Sequence, residues 1–243
     1  MPTVDYVLQS MREFSEDHKR IEDQLPALEA DRTKRGRKTA NGWNDAIITV
    51  GTGYGFVTQG AGDRFVVTAA HCLPELPPCN TGRSDRESCY PALIGPLGGQ
   101  QTVAAACCFA DTICDIAVLG PPSGIEALKE FDQYLKLTEG TTPLSIAEPL
   151  SASLVWVPLS GGEWLSYVAT SATGEELLLI GALDASLVEM AGAPIISDNG
   201  TVVGVLCPDL ERDFLGASHP GLVGSLPRRL LRFIGVAASM ATT

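Results

Sequence analysis

The sequence predicts an all-β body carrying a helical segment at its N-terminus, and three observations lead there. Short β-branched and apolar runs alternate with glycine-rich turns from Ala46 onward. The triplet Asp198-Asn199-Gly200 supplies residues that tolerate positive φ and should close a tight hairpin. The 243 residues are 45% hydrophobic and 19% charged, an ordinary globular composition able to bury a core without disulfides.

Residues 3–25 read as an amphipathic helix. Val4, Val7, Met11, Phe14, Ile21, Leu25 and Leu28 recur at three- and four-residue spacing, with His18 in the one polar slot. Pro26 is expected to end or kink it. Such a helix either docks on the body of its own chain or serves as a short coiled-coil or partner-binding segment. The run Arg32-Thr33-Lys34-Arg35-Gly36-Arg37-Lys38 follows, holding five of the 17 basic residues and no acidic one. It reads as a solvated linker, with a processing site or a contact to an acidic partner as the alternatives.

Ten strands are then expected: Ala46–Val50, Gly55–Thr58, Arg64–Ala69, Gln101–Ala106, Ile113–Leu119, Leu154–Pro158, Leu165–Ala169, Glu176–Ile180, Pro194–Ile196 and Val202–Leu206. The Pro- and Gly-rich stretch Leu73–Gly99 reads as a long surface loop, Gly120 to about Pro143 as the connection between two halves, and Pro227–Ala237 as a short terminal helix.

Charge and targeting signals narrow the function. A net charge of −12 and a pI near 4.6 repel phosphate backbones and anionic membranes, so neither nucleic acid nor membrane is an expected partner. No apolar stretch is long enough to span a bilayer, and the first residues lack the pattern of a signal peptide. Seven irregularly spaced cysteines read as reduced thiols, which points to the cytoplasm. With only His18, His71 and His219 and no short-spaced cysteine pair, no metal site and no cofactor are expected.

The residues that carry chemistry begin at Phe65-Val66-Val67-Thr68-Ala69-Ala70-His71-Cys72, an apolar strand that runs into a small-residue turn presenting a histidine. Further on, Asp115-Ile116-Ala117-Val118-Leu119 opens another apolar strand with a carboxylate, which at a strand start can be held by backbone and can orient an imidazole. Glu189-Met190-Ala191-Gly192-Ala193-Pro194 then precedes the hairpin and Gly204-Val205-Leu206.

Taken together, these motifs resemble those of the trypsin-like, chymotrypsin-fold serine peptidases, especially the bacterial intracellular and Deg-type branch. The resemblance covers about residues 46–236. It implies two six-stranded antiparallel barrels, one at about 43–125 and one at about 140–236, with residues 1–40 outside the peptidase domain of 41–243. It implies a polypeptide substrate, His71 as general base and Asp115 as its orienter. The family's nucleophile motif reads Gly-x-Ser-Gly-(Gly/Ala/Ser)-Pro, and this chain has Ala191 at the serine position. A methyl group can neither attack a carbonyl nor give up a proton, so the chain is expected to be inactive, by about 10⁶-fold in turnover. The intact surroundings read Ala191 as a serine-to-alanine replacement; the alternative is a natural pseudopeptidase that binds peptide or protein without cutting.

The same resemblance makes the backbone N–H groups of Glu189 and Ala191 the oxyanion hole, although the family usually has glycine at the Glu189 position. It puts Ala185, with Asp184 beside it, at the base of the S1 pocket, and Cys207-Pro208-Asp209 along the substrate backbone. Because residues 41–60 contain no cysteine to pair with Cys72, that thiol is expected to be free. The N-terminal helix is left as the expected element of self-association or partner binding.

Overall fold

The computed structural model describes residues 26–28, 30, 37–39, 42–60, 62–75, 88–112, 114–147, 152–171, 176–180, 185–207, 221–225, 230 and 234. The protein is mostly β, with few helices. Six strands close into a barrel in the order β2-β3-β4-β7-β6-β5: β2 (Ile47–Val50), β3 (Gly53–Gly60), β4 (Asp63–Ala69), β5 (Ser88–Pro96), β6 (Val103–Asp111) and β7 (Ile116–Gly120). All of its pairings are antiparallel.

A seven-stranded sheet follows. In order it comprises β1 (Arg37–Thr39), β9 (Glu163–Ser171), β10 (Glu176–Ile180), β13 (Gly221–Ser225), β12 (Val202–Val205), β11 (Pro194–Ser197) and β8 (Ala152–Pro158). Strand β8 pairs with β9 as well as with β11, so the pairings among β8 to β13 return on themselves, and β1 is added outside that ring. Asp198-Asn199-Gly200 turns β11 into β12, with Gly200 at φ +86° donating its N–H to the Ser197 carbonyl.

The two-residue period of a strand divides the core into three parts. Ile48, Val57, Val66, Ala117 and Leu119 point into the barrel. Their neighbours Ile47, Phe56, Val67, Ile116 and Val118 point the other way, into a cluster shared with Trp156, Ile196 and Val202 of the second sheet. The opposite face of that sheet packs Val155, Val157, Tyr167, Leu179, Ile195 and Val203 together. Strands buried on both faces need apolar residues at successive positions, which is why their sequence runs look continuous rather than alternating.

Four expectations need correcting. Strand β5 lies inside the stretch read as a surface loop; it hydrogen-bonds to β2 and β6, and the barrel cannot close without it. The end of the run read as a solvated linker is β1, its backbone paired to β9 through Arg37↔Leu165 and Thr39↔Glu163. The expected connection holds α1 (Leu128–Glu139), and β13 was not among the expected strands. Helix α1 is bound to the barrel at both levels. The Tyr134 hydroxyl donates between the carbonyls of Leu119 (3.0 Å) and Arg64 (3.2 Å). Arg64 donates to the carbonyls of Thr138 and Thr141, tying the C-terminal end of the helix to the barrel.

At the N-terminus, helical backbone occurs at Pro26–Leu28 and Ala30, past the proline expected to end or kink the helix. Residues 3–25 lie outside the described residues. Of the expected terminal helix, Leu230 and Ile234 are described; both are buried, and the Ile234 N–H donates to the Leu230 carbonyl.

Candidate active site

His71 is positioned by the end of β4. The strand runs into a 3-10 turn, Ala70–Cys72, whose flanking residues are buried while the His71 side chain is 44% exposed. The register of β4 against β7 pairs Ala69 with Ile116, so the residue just before β7 falls beside the turn. That residue is Asp115. Its backbone takes the left-handed conformation, φ +52°, which is uncommon for a residue with a Cβ and is best tolerated by Asp and Asn.

Three hydrogen bonds join the two loops. The Asp115 carbonyl accepts from the Ala70 N–H at 3.0 Å. Its Oδ1 accepts from the His71 backbone N–H at 2.9 Å, and its Oδ2 lies 2.6 Å from His71 Nδ1. The hydrogen bond to Asp115 is the largest influence on the imidazole; with a further one to Cys72 it outweighs partial burial and pushes the His71 pKa from 6.5 up to about 10.

The Ala191 turn is assembled separately and brought to the same place. The 3-10 turn Ala185–Met190 leads into it, and Gly192 and Leu206 close it: the Gly192 N–H donates to the Leu206 carbonyl at 2.7 Å, and the Leu206 N–H to the Ala193 carbonyl at 2.8 Å. Gly192 is at φ +85°, and a Cβ there would overlap the Tyr54 carbonyl and lie 2.6 Å from Thr68 Oγ1, so only glycine fits. The Ala191 carbonyl accepts from the Tyr54 N–H at 2.8 Å and faces Cys72 Sγ at 3.7 Å. Ala191 is therefore packed against the residue next to His71, and it is buried.

The other expected site residues adjoin this arrangement or lie outside the described residues. Glu189 lies exposed in the 3-10 turn before Ala191, and Ala185 begins that turn. Cys207, expected to lie along the substrate backbone, directs its thiol to the Asp115 carbonyl at 3.3 Å. Asp184, Pro208 and Asp209 lie outside the described residues. Sequence reasoning did not single out Tyr54 or Thr68; the signal for Tyr54 was its glycine-rich surroundings, Gly53 and Gly55, the first of which lets the Ala191 turn approach, and Thr68 had none beyond lying in the strand that leads to His71. Among the described residues no group of three or more His, Cys, Asp or Glu could hold a metal ion, and Cys72 forms no disulfide.

Fold and site thus define an all-β protein, a closed six-stranded barrel with a second sheet, that carries a hydrogen-bonded His–Asp pair beside an alanine-bearing turn. No family model and no curated protein matches the chain. Among the solved structures similar to it are two at a TM-score of 0.49. One, titled for the coupled folding and binding of the intrinsically disordered Sesbania mosaic virus VPg protein, is 14% identical, and the match covers 79% of this chain and 92% of that one. The other is the apo MamO protease domain from Magnetospirillum magneticum, 15% identical, with 79% of this chain and 97% of that one covered.

Proposed function

We propose that the chain is the peptidase domain of a trypsin-like serine endopeptidase in an inactive form, with Ala191 standing where the nucleophilic serine belongs. The observation that carries this reading is the Asp115 carboxylate bridging the ring and the backbone N–H of His71, next to a turn that packs Ala191 against Cys72. A carboxylate held to both groups fixes the tautomer and direction of an imidazole, which is what a general base requires. In this reading the closed ring of pairings among β8 to β13 is the second of two barrels, and the intact thiol of Cys72 suits a reducing cytoplasm.

With serine at position 191, the unprotonated form of His71, which its raised pKa makes the alkaline form, would take the hydroxyl proton on Nε2 as the oxygen attacks a peptide carbonyl, and would return it to the leaving amine. The N–H groups of residues 189 and 191 would face the developing oxyanion. The Ala191→Ser protein should gain endopeptidase activity and react with a fluorophosphonate probe. A folded Ala191→Ser protein that does neither would replace this reading with that of a peptide- or protein-binding module.

A further inference from the structure

Cys72 stands between the two turns of the site. It is fully buried and forms no disulfide. Its Sγ lies 3.7 Å from the Ala191 carbonyl oxygen, a distance an S–H donor spans. A thiol is both a weak donor and a weak acceptor, so one sulfur can serve two partners. The second partner is the ring of His71, with which Cys72 makes a side-chain hydrogen bond.

The fold reserves room for this sulfur. Gly53 of β3 is buried, and a Cβ there would lie 2.6 Å from Cys72 Sγ and 2.6 Å from the Ala191 carbonyl oxygen, so the missing side chain lets thiol and carbonyl meet. The same segment ties down both backbones: the Thr52 N–H donates to the Cys72 carbonyl at 3.2 Å, and the Tyr54 N–H to the Ala191 carbonyl at 2.8 Å. The thiol carries this connection on to the imidazole.

We propose that Cys72 is a positioning residue, whose thiol donates to the Ala191 carbonyl, accepts from the His71 ring and so sets where the imidazole stands relative to position 191. A polar atom engaged on both sides and closed to solvent resists displacement, because a partner left unmatched costs a hydrogen bond. The consequence for catalysis rests on the peptidase reading; the contact itself does not.

Two readouts test the assignment. In the chain as it stands, with Ala191, the His71 ring protons should titrate at about pH 10, and Asp115 and Cys72 are the titratable groups that raise this pKa. Cys72→Ala should lower it with Asp115 still in place, and Cys72→Ser, which keeps a donor and an acceptor, should return part of the shift. In the Ala191→Ser background, Cys72→Ala should slow fluorophosphonate labelling about tenfold, the effect of one hydrogen bond, and Cys72→Ser should recover most of the rate. Cys72→Val, which fills the space without a donor, replaces the alanine variant if that one does not fold. Cys107→Ala removes a thiol bonded within its own strand, to the Phe109 carbonyl, and should change neither readout.

A residue that merely fills space would rank serine no better than alanine, since a hydroxyl suits a buried apolar site poorly. That ranking would overturn the proposal. So would an unchanged His71 titration in Cys72→Ala, unchanged labelling of Cys72→Ala in a reactive Ala191→Ser protein, or an equal effect of Cys107→Ala. An Ala191→Ser protein that resists labelling with Cys72 intact overturns the peptidase reading instead, and the His71 titration then decides for or against Cys72 by itself.

Discussion

The carboxylate of Asp115 engages His71 twice, through the ring Nδ1 at 2.6 Å and through the backbone N–H at 2.9 Å. The double contact holds the imidazole to its own loop even though the side chain is 44% exposed. It also explains why the pair stays assembled with a methyl group at position 191: none of its hydrogen bonds depends on that residue.

On the proposed reading, placing serine at position 191 should raise turnover by about 10⁶-fold, in line with the loss caused by removing a serine nucleophile elsewhere. His71→Ala in the Ala191→Ser background should abolish fluorophosphonate labelling. Labelling that survives the loss of His71 would mean that the hydroxyl is activated by some other group.

Asp115→Asn should lower the His71 pKa from about 10 toward 6.5, followed by NMR titration of the ring protons. Because folding raises this pKa, its stabilising contribution is complete below about pH 6.5 and is lost as pH climbs through about 10. The stability advantage of the parent over Asp115→Asn should accordingly shrink across that window in urea melts. Solvent screening at a half-exposed pair keeps the effect small. An advantage that grows with pH would contradict the assignment.

Gly192→Ala should destabilise the protein by about 3 kcal/mol or more, through positive φ and overlap with the Tyr54 carbonyl. Gly98→Ala, also at positive φ but with open space around it, should cost only about 1 kcal/mol. Equal losses in denaturant melts would show that backbone conformation, and not packing of the site turn, sets the penalty.

Tyr134→Phe tests the docking of α1. The ring stays and the buried hydroxyl goes, leaving the Leu119 and Arg64 carbonyls without this donor, so a loss of about 1–2 kcal/mol is expected. A neutral substitution would mean that water replaces the hydroxyl.

Truncations separate β1 from what precedes it. Removing residues 1–35 keeps the Arg37–Thr39 strand and should leave the unfolding free energy near that of the full chain. Removing residues 1–40 deletes the backbone pairing to β9 and should cost a further ~1–3 kcal/mol, still leaving the barrel folded. If either truncation unfolds the protein outright, the N-terminal segment belongs to the core. A change in oligomeric state on removing residues 1–35 would assign self-association to the predicted helix.

What the sequence determined by itself was whatever is encoded locally. Val66-Val67 and Ala117-Val118-Leu119 announce strands buried on both faces, Asp198-Asn199-Gly200 announces a hairpin, and the contexts of His71 and Asp115 single those residues out although they are far apart in the chain. The tertiary structure decided what depends on a partner strand. Ser88–Pro96 contains two prolines and little alternation, and it becomes β5 only because β2 and β6 supply its hydrogen bonds. Arg37–Thr39 has no strand pattern of its own and is extended because β9 offers an edge. The thiol of Cys207 on the Asp115 carbonyl arises from loops of different sheets meeting. Periodicity reports which face of a segment is buried, whereas pairing and loop closure depend on hydrogen-bond partners distant in the chain, and those exist only once the chain has folded.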